Sequence, residues 1–229
     1  MMNKPVAVIT GASRGIGRAT ALRLAADFAI VAVARTENDL QSLVREVEEG
    51  GGSCRPLVLD LSDEAAVGAA LSGIDAQVLV NNAGVGTLKP FMELSRDDWR
   101  RMVDVNFNAL FDVTRAVLPS MVERKSGHVV VVGSIAGRGA FTGGSCYAAT
   151  KHAAIAFAEC LMLEVRDSGV KVSVVNPGSV ATHFSSRSDA GWMLSAEDVA
   201  SAIHHVIHTP PNVLVHSIEV RTLTVPKKH

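Results

Sequence analysis

Short runs in which nearly every residue is apolar recur along this chain, and they limit its fold more than any other feature. They read as strands at 5–9 (PVAVI), 29–34 (AIVAVA), 55–59, 77–81, 128–133 (HVVVVG), 171–176 and 213–220. A strand that is apolar at successive positions, rather than at alternate ones, must be covered on both faces. The covers are present. Helical stretches fall between the runs at 15–26, 37–49, 63–72, 96–124, 145–168 and 196–207. In 15–26, Ile16, Ala19, Leu22 and Leu24 supply the apolar positions. Two capping signals mark helix starts: Ser62 before DEAAV, and Ser195 opening SAED. Strands alternating with helices predict an α/β protein: a doubly wound, Rossmann-like, seven-stranded and mostly parallel sheet flanked by helices. No linker or repeat divides residues 1–229, so a single domain is expected.

Composition narrows the function. Of the 229 residues, 48% are apolar, which suits one large packed core, and a net charge of −1 gives no footprint for nucleic acid. No apolar run approaches the ~18 residues of a membrane helix. MMNKPVAVIT enters a strand directly and is not read as a secretory signal. Cys54, Cys146 and Cys160 are too few and too irregular for a disulfide framework or a metal site, so no metal is expected and the cytoplasm is the expected compartment.

The first strand runs into TGASRGIG (10–17) at the mouth of a helix. A glycine-rich turn there lets backbone N–H groups approach a pyrophosphate, and the helix N-terminus adds a favourable dipole. A site for NAD would place a carboxylate at the end of the second strand. Ala34 stands there instead, with Arg35 after it and Arg14 in the glycine turn, and two guanidiniums suit a 2′-phosphate. Glu37 is the one dissenting acid, at a helix start.

These segments resemble the short-chain dehydrogenase/reductase family in its NADP-preferring branch. The resemblance rests on TGASRGIG, LDL (59–61), NNAG (81–84), the VN pair ending at Asn106, GSIAG (133–137), YAATK (147–151) and NPGSVAT (176–182), in family order and spacing. It implies an NADP(H)-dependent oxidoreductase acting on a small carbonyl or alcohol substrate. Thr10, Gly11, Ser13, Arg14, Gly15, Ile16 and Gly17 would hold the coenzyme phosphates, with Arg35 at the 2′-phosphate. Asp60 and Leu61 would meet the adenine, and Asn81, Asn82, Ala83 and Gly84 would line the fourth strand's end, unless Asn82 mainly bonds neighbouring strands. Pro177, Gly178, Val180 and Thr182 would hold the nicotinamide. Asn106, Ser134, Tyr147 and Lys151 would be catalytic, with Tyr147 and Lys151 also touching the coenzyme.

Within that resemblance the single tyrosine of the chain acquires a purpose. Reducing a carbonyl requires a proton for the oxygen as it becomes an alkoxide, and free tyrosine, with pKa about 10, is a poor match for neutral pH. A cation ~4 Å away would lower that value by about 3 units at an effective dielectric of ~20, and Lys151 is placed to supply it. By resemblance Ser134 would bond the substrate oxygen and Asn106 would hold a relay water.

Three segments depart from the family pattern. Helix one ends LAADFAIV without the usual glycine, leaving Asp27 to take a left-handed turn. A short flap at 183–195 offers Phe184, Trp192 and Met193 as cover, or as anchors of a surface loop. The tail resembles short-tailed members related to serine and 3-hydroxy acid dehydrogenases and to ketoacyl reductases. The expected activity is reduction of a ketone or aldehyde, including a 3-oxoacyl thioester. Alternatives are oxidation of a small hydroxy acid or alcohol, and a non-catalytic redox sensor. Arg138 and Arg187 could meet an acidic substrate or simply face water. Apolar surface on 96–124 and 145–168 predicts a homodimer or homotetramer.

Overall fold

The computed structural model describes residues 4–182 and 191–224. Seven parallel strands form one sheet in the order β3-β2-β1-β4-β5-β6-β7. They are β1 (Val6–Thr10), β2 (Ala29–Ala34), β3 (Ser53–Val58), β4 (Ala76–Asn81), β5 (Gly127–Val132), β6 (Val170–Pro177) and β7 (Ser217–Val220). The inner strands β1, β2, β4, β5 and β6 are buried at most positions, as continuous apolar runs require. Pro56 lies in β3, at the sheet edge, where a missing N–H costs least.

Two apolar clusters pack on the two faces. One holds Val8, Val31 and Val129 with Val113, Val117, Ala158 and Leu161 of the helices. The other holds Ala7, Ile9 and Val130 with Leu24, Leu40, Leu43, Val199 and Ile203. The single-domain, Rossmann-like architecture read from the sequence is therefore observed, and every strand pairing in it is parallel. Among the described residues no helix is long and apolar enough to cross a membrane.

Strand order reverses between β1 and β4. In open parallel sheets such a reversal leaves a crevice beyond the strands' carboxyl ends. The helices α1 (Gly15–Leu24), α2 (Glu37–Glu49), α3 (Glu64–Leu71), α4 (Arg96–Val103), α5 (Ala109–Arg124), α6 (Ser145–Val165) and α7 (Ala196–Ile207) complete the layers.

Several local expectations change. The stretch 96–124 is not one helix: a π-helical turn, Asp104–Asn108, separates α4 from α5. The last strand covers only Ser217–Val220 of the expected 213–220. Ser62 does not cap α3. Asp63 does, accepting from the Ala66 N–H at 3.0 Å, while Ser62 bonds Asp60. Ser195 caps α7 in a reciprocal box with Asp198, as read, and Ser95 forms the same box with Asp98 on α4, a signal the sequence reading passed over. Helix α1 ends at Leu24 with a right-handed cap at Ala25. Asp27 needs no left-handed backbone, since Lys125 is the only non-glycine residue with positive φ among those described.

Candidate active site

At the reversal, the ends of β1 and β4 are tied together by their own side chains. Thr10 Oγ1 accepts from the Asn82 and Ala83 N–H groups at 3.0 and 3.1 Å. Asn82 Nδ2 donates back to the carbonyls of Thr10 and Gly11 at 2.9 and 3.2 Å. The glycine turn is thus pinned to the fourth strand, and the bonding alternative for Asn82 is the one observed. A Cβ on Gly17 would lie 2.3 Å from the Gly11 carbonyl oxygen, so only glycine permits the helix to approach the turn this closely. Gly15 (φ 55°) faces Thr182: a Cβ there would sit 3.3 Å from the threonine methyl. The phosphate-turn residues and the Pro177–Thr182 segment therefore flank one crevice.

These residues fit an anionic dinucleotide. Helix α1 has no side chain capping its N-terminus and no acid in its first turn, whereas α2, α3, α4 and α7 all carry acids there. Its first N–H groups and its dipole favour phosphate. Arg14 and Arg35 are exposed, and neither forms an ion pair among the described residues. Asp60 is held below the usual carboxylate range first by the Ser62 N–H and hydroxyl, and then by Arg35. Its Oδ1 already accepts both Ser62 groups, at 3.0 and 2.8 Å. Leu61 is buried beside it. Asn81 is buried and donates from Nδ2 to Thr114 Oγ1 of α5 at 3.0 Å.

The four expected catalytic residues converge on the same crevice. Ser134, just beyond β5, donates its N–H to Asn176 Oδ1 at 3.2 Å and accepts the Ala136 N–H on its hydroxyl at 3.1 Å. That hydroxyl also hydrogen-bonds the Tyr147 side chain. One turn along α6, Lys151 Nζ stands 6.0 Å from the Tyr147 ring centre and donates to the Val132 carbonyl at 2.9 Å. A Cβ on Gly84 would lie 3.7 Å from Nζ and 3.4 Å from Asn106 Oδ1, so the β4 end faces both.

Asn106 occupies the π-helical turn and is fully engaged. Oδ1 accepts the Val85 N–H at 2.7 Å, while Nδ2 donates to the Val85 carbonyl at 2.9 Å and to Thr150 Oγ1 at 3.0 Å. Thr150 in turn donates to the Tyr147 carbonyl at 2.8 Å. Asn106 thereby braces α6 against the segment after β4. Thr150 and Asn176 complete this bracing and were not singled out in the sequence. The signal for Thr150 was its place three residues after Tyr147, on the same helical face.

Electrostatics correct one expectation. Burial pushes the Tyr147 phenol above its ordinary value, and the Ser134 hydrogen bond offsets this only in part. Lys151 is pulled down to about 8 by burial of its ammonium. In the coenzyme-free protein, desolvation makes the phenol a weaker acid than free tyrosine.

Elsewhere, Arg138 is engaged with Glu159, Glu219 and Ser217, which supports neither a substrate contact nor simple solvation. Cys146 is buried with its thiol pushed up by desolvation. Trp192 and Met193 are half-buried, and Leu194 forms a parallel bridge with Val180. Phe184 and Arg187 lie outside the described residues.

Comparison with known proteins now bears on this arrangement. Residues 5–191 match the family model for short chain dehydrogenases. This chain belongs to the short chain dehydrogenase family. It is 33% identical, over 96% of its length and 95% of the relative's, to an NADP-dependent 3-hydroxy acid dehydrogenase of Salmonella typhi. It is 31% identical to a 3-oxoacyl-[acyl-carrier-protein] reductase of Escherichia coli, over 86% and 87% of the two chains. Among solved structures, an alcohol dehydrogenase from the archaeon Thermococcus sibiricus, complexed with 5-hydroxy-NADP, superposes with a TM-score of 0.90 at 30% identity, covering 99% of this chain and 100% of that one. A serine dehydrogenase from Escherichia coli gives 0.84 at 31% identity, covering 94% and 96%.

The buried lysine of this short chain dehydrogenase should be visible in its stability. Lys151 titrates at 10.5 when unfolded and about 8 when folded, so burial of its charged form costs about 3 kcal/mol at neutral pH. The folded value is depressed, so the penalty is absent above 10.5, builds as pH falls from 10.5 to 8, and is present in full below 8. Lys151→Met is expected to raise the unfolding free energy at pH 7 by ~1–3 kcal/mol, after the lost Val132 hydrogen bond is counted. The gain should vanish toward pH 10.5. Denaturant titrations of both proteins across that range would contradict the account if wild type were the more stable at pH 7.

Proposed function

We propose that the chain is an NADP(H)-dependent carbonyl reductase acting on a ketone or aldehyde, with 3-oxoacyl thioesters among its substrates. The observation that carries this reading is the half-buried Tyr147 side chain, hydrogen-bonded to Ser134 and one helical turn from the Lys151 ammonium. The coenzyme, when bound, supplies the hydride. Tyr147 gives its proton to the carbonyl oxygen as charge develops there, and Ser134 holds that oxygen in line with the phenol. Lys151 keeps positive charge beside the ring as the phenol loses its proton, and still carries that charge at pH 7. Asn106 and Thr150 hold α6 in register with the end of β4, fixing the distance between these groups.

Arg14 and Arg35 support a 2′-phosphate on the coenzyme, and the named relatives agree with it. Substrate class rests on the exposed apolar residues in the segments flanking the crevice. Leu88 and Phe91 follow β4, Phe141 precedes α6, and the two segments are joined by the Lys89 N–H on the Gly143 carbonyl at 3.1 Å. Such walls suit a ketone on an apolar body. The unpaired cysteines suit a reducing cytoplasm.

A homo-oligomer fits the outer helices. Phe107, Phe111 and Phe157 line a hollow of about 380 Å³, and Phe111 is 48% exposed. A second copy of the same helices would cover it. Sedimentation at micromolar concentration is expected to show a dimer or tetramer, and a lone 24.1 kDa species would contradict this.

The activity itself is tested by following NADPH consumption against ketones, diketones and acyl thioesters. Tyr147→Phe keeps the ring and removes only the hydroxyl, so coenzyme affinity should hold while kcat falls by at least ~10²-fold. Near-normal turnover in that variant would sink the mechanism.

A further inference from the structure

At the edge of the sheet opposite the crevice, the carboxyl ends of α1 and α7 meet. Asp27 lies in the turn between α1 and β2, His204 in the last turn of α7, and His208 at its C-cap. The two imidazoles are one helical turn apart and stacked, with centres 3.9 Å apart and planes 23° from parallel. Their Nε2 atoms lie 3.7 and 3.2 Å from the same oxygen, Asp27 Oδ2. One donor atom from each of the three residues falls within 4.8 Å of the other two.

The tautomer of His208 gives this cluster its chemical meaning. Its Nδ1 lies 2.9 Å from the His204 carbonyl oxygen, an acceptor only, so Nδ1 must carry the proton. In the neutral ring, Nε2 then presents its lone pair to a carboxylate oxygen 3.2 Å away, and two lone pairs repel. A cation between them removes the conflict. Imidazoles that ligate metals commonly donate their other N–H to a backbone carbonyl in this manner. Phe28, buried, packs edge-on to the His208 ring at 6.1 Å and limits its rotation. The negative ends of two helix dipoles also favour a positive charge here, although Arg23 in the last turn of α1 opposes it.

We propose that Asp27, His204 and His208 bind one divalent late first-row transition ion, zinc foremost, with water completing the coordination. Two imidazole nitrogens and one carboxylate oxygen are a borderline donor set that suits zinc and its neighbours rather than magnesium or calcium. The exposure of Asp27 and His208 leaves room for solvent ligands. Such an ion would fasten α7 to the α1–β2 turn. Helix α1 begins at the glycine turn and α7 begins where the flap ends, so the ion secures the scaffold beneath both without touching the reacting groups.

The experiment uses the untagged full chain, stripped with a chelator and titrated with zinc chloride by calorimetry, with cobalt(II) absorption as a second probe. One equivalent is expected to bind, and the thermal midpoint should rise by about 5 °C at a free zinc level of ~100 Kd. The double variant His204→Ala/His208→Ala should lose the midpoint shift, and Asp27→Asn should bind at least ~10-fold more weakly, with NADPH affinity unchanged in both. No saturable binding below about 1 mM zinc would overturn the proposal. So would zinc binding that persists in the double variant, which would place the metal elsewhere, or a cobalt(II) spectrum that the protein leaves unaltered.

Discussion

An ammonium group out of water at the carboxyl edge of the sheet is the feature around which this molecule is arranged. Lys151 is buried, with a hydrogen bond to the Val132 carbonyl at 2.9 Å, and its burial lowers its basicity to about 8. A charge in such a place is a cost that only function or specificity can justify. The surrounding structure holds it there. Helix α6 carries Tyr147, Thr150 and Lys151 on neighbouring positions, and Asn106 joins Thr150 to the Val85 backbone. The π-helical turn that contains Asn106 is therefore more than an irregularity. It places an amide in the wall where a regular helix would present a different register.

The second support is the reversal of strand order between β1 and β4. It opens the crevice, and Thr10 with Asn82 keeps it from spreading by bonding across both strand ends. The glycine turn can then present the uncapped start of α1 to a phosphate while packing tightly on the fourth strand. Coenzyme site and catalytic cluster thus share one edge. Asn82 and Thr10 hold the first, Asn106 and Thr150 the second, and Gly84 lies where they meet.

Much of this was legible in the sequence because it depends on short-range rules. Unbroken apolar runs specified strands covered on both faces, and the glycine spacing marked the phosphate turn. What escaped depends on partners distant in the chain. Nothing in DVNFN announces a π-helical turn, and the partners Asn106 bonds there, Val85 and Thr150, lie 21 and 44 residues away. The expected strand at 213–220 shortens because only Ser217–Val220 runs alongside β6. Asn81 and Asn82 are identical in type but lie on opposite sides of β4, so one reaches Thr114 in α5 and the other the glycine turn. The phenol's raised pKa was missed for a quantitative reason. The spacing of Tyr147 and Lys151 shows a cation near the phenol, but the desolvation that raises the phenol and lowers the lysine comes from the packed fold around them.

The central claim is that the resting phenol is a protonated donor, and that its acidity is set by burial until further positive charge arrives with the oxidised coenzyme. Tyr147 is the only tyrosine in the chain, so phenolate absorbance reports it alone once tryptophan and coenzyme backgrounds are subtracted. Spectrophotometric titration of the coenzyme-free protein is expected to place its midpoint above the ordinary 10.0, and saturation with NADP⁺ is expected to move it downward. A coenzyme-free phenol that ionises well below 10.0, or a midpoint that NADP⁺ leaves unmoved, would contradict the account.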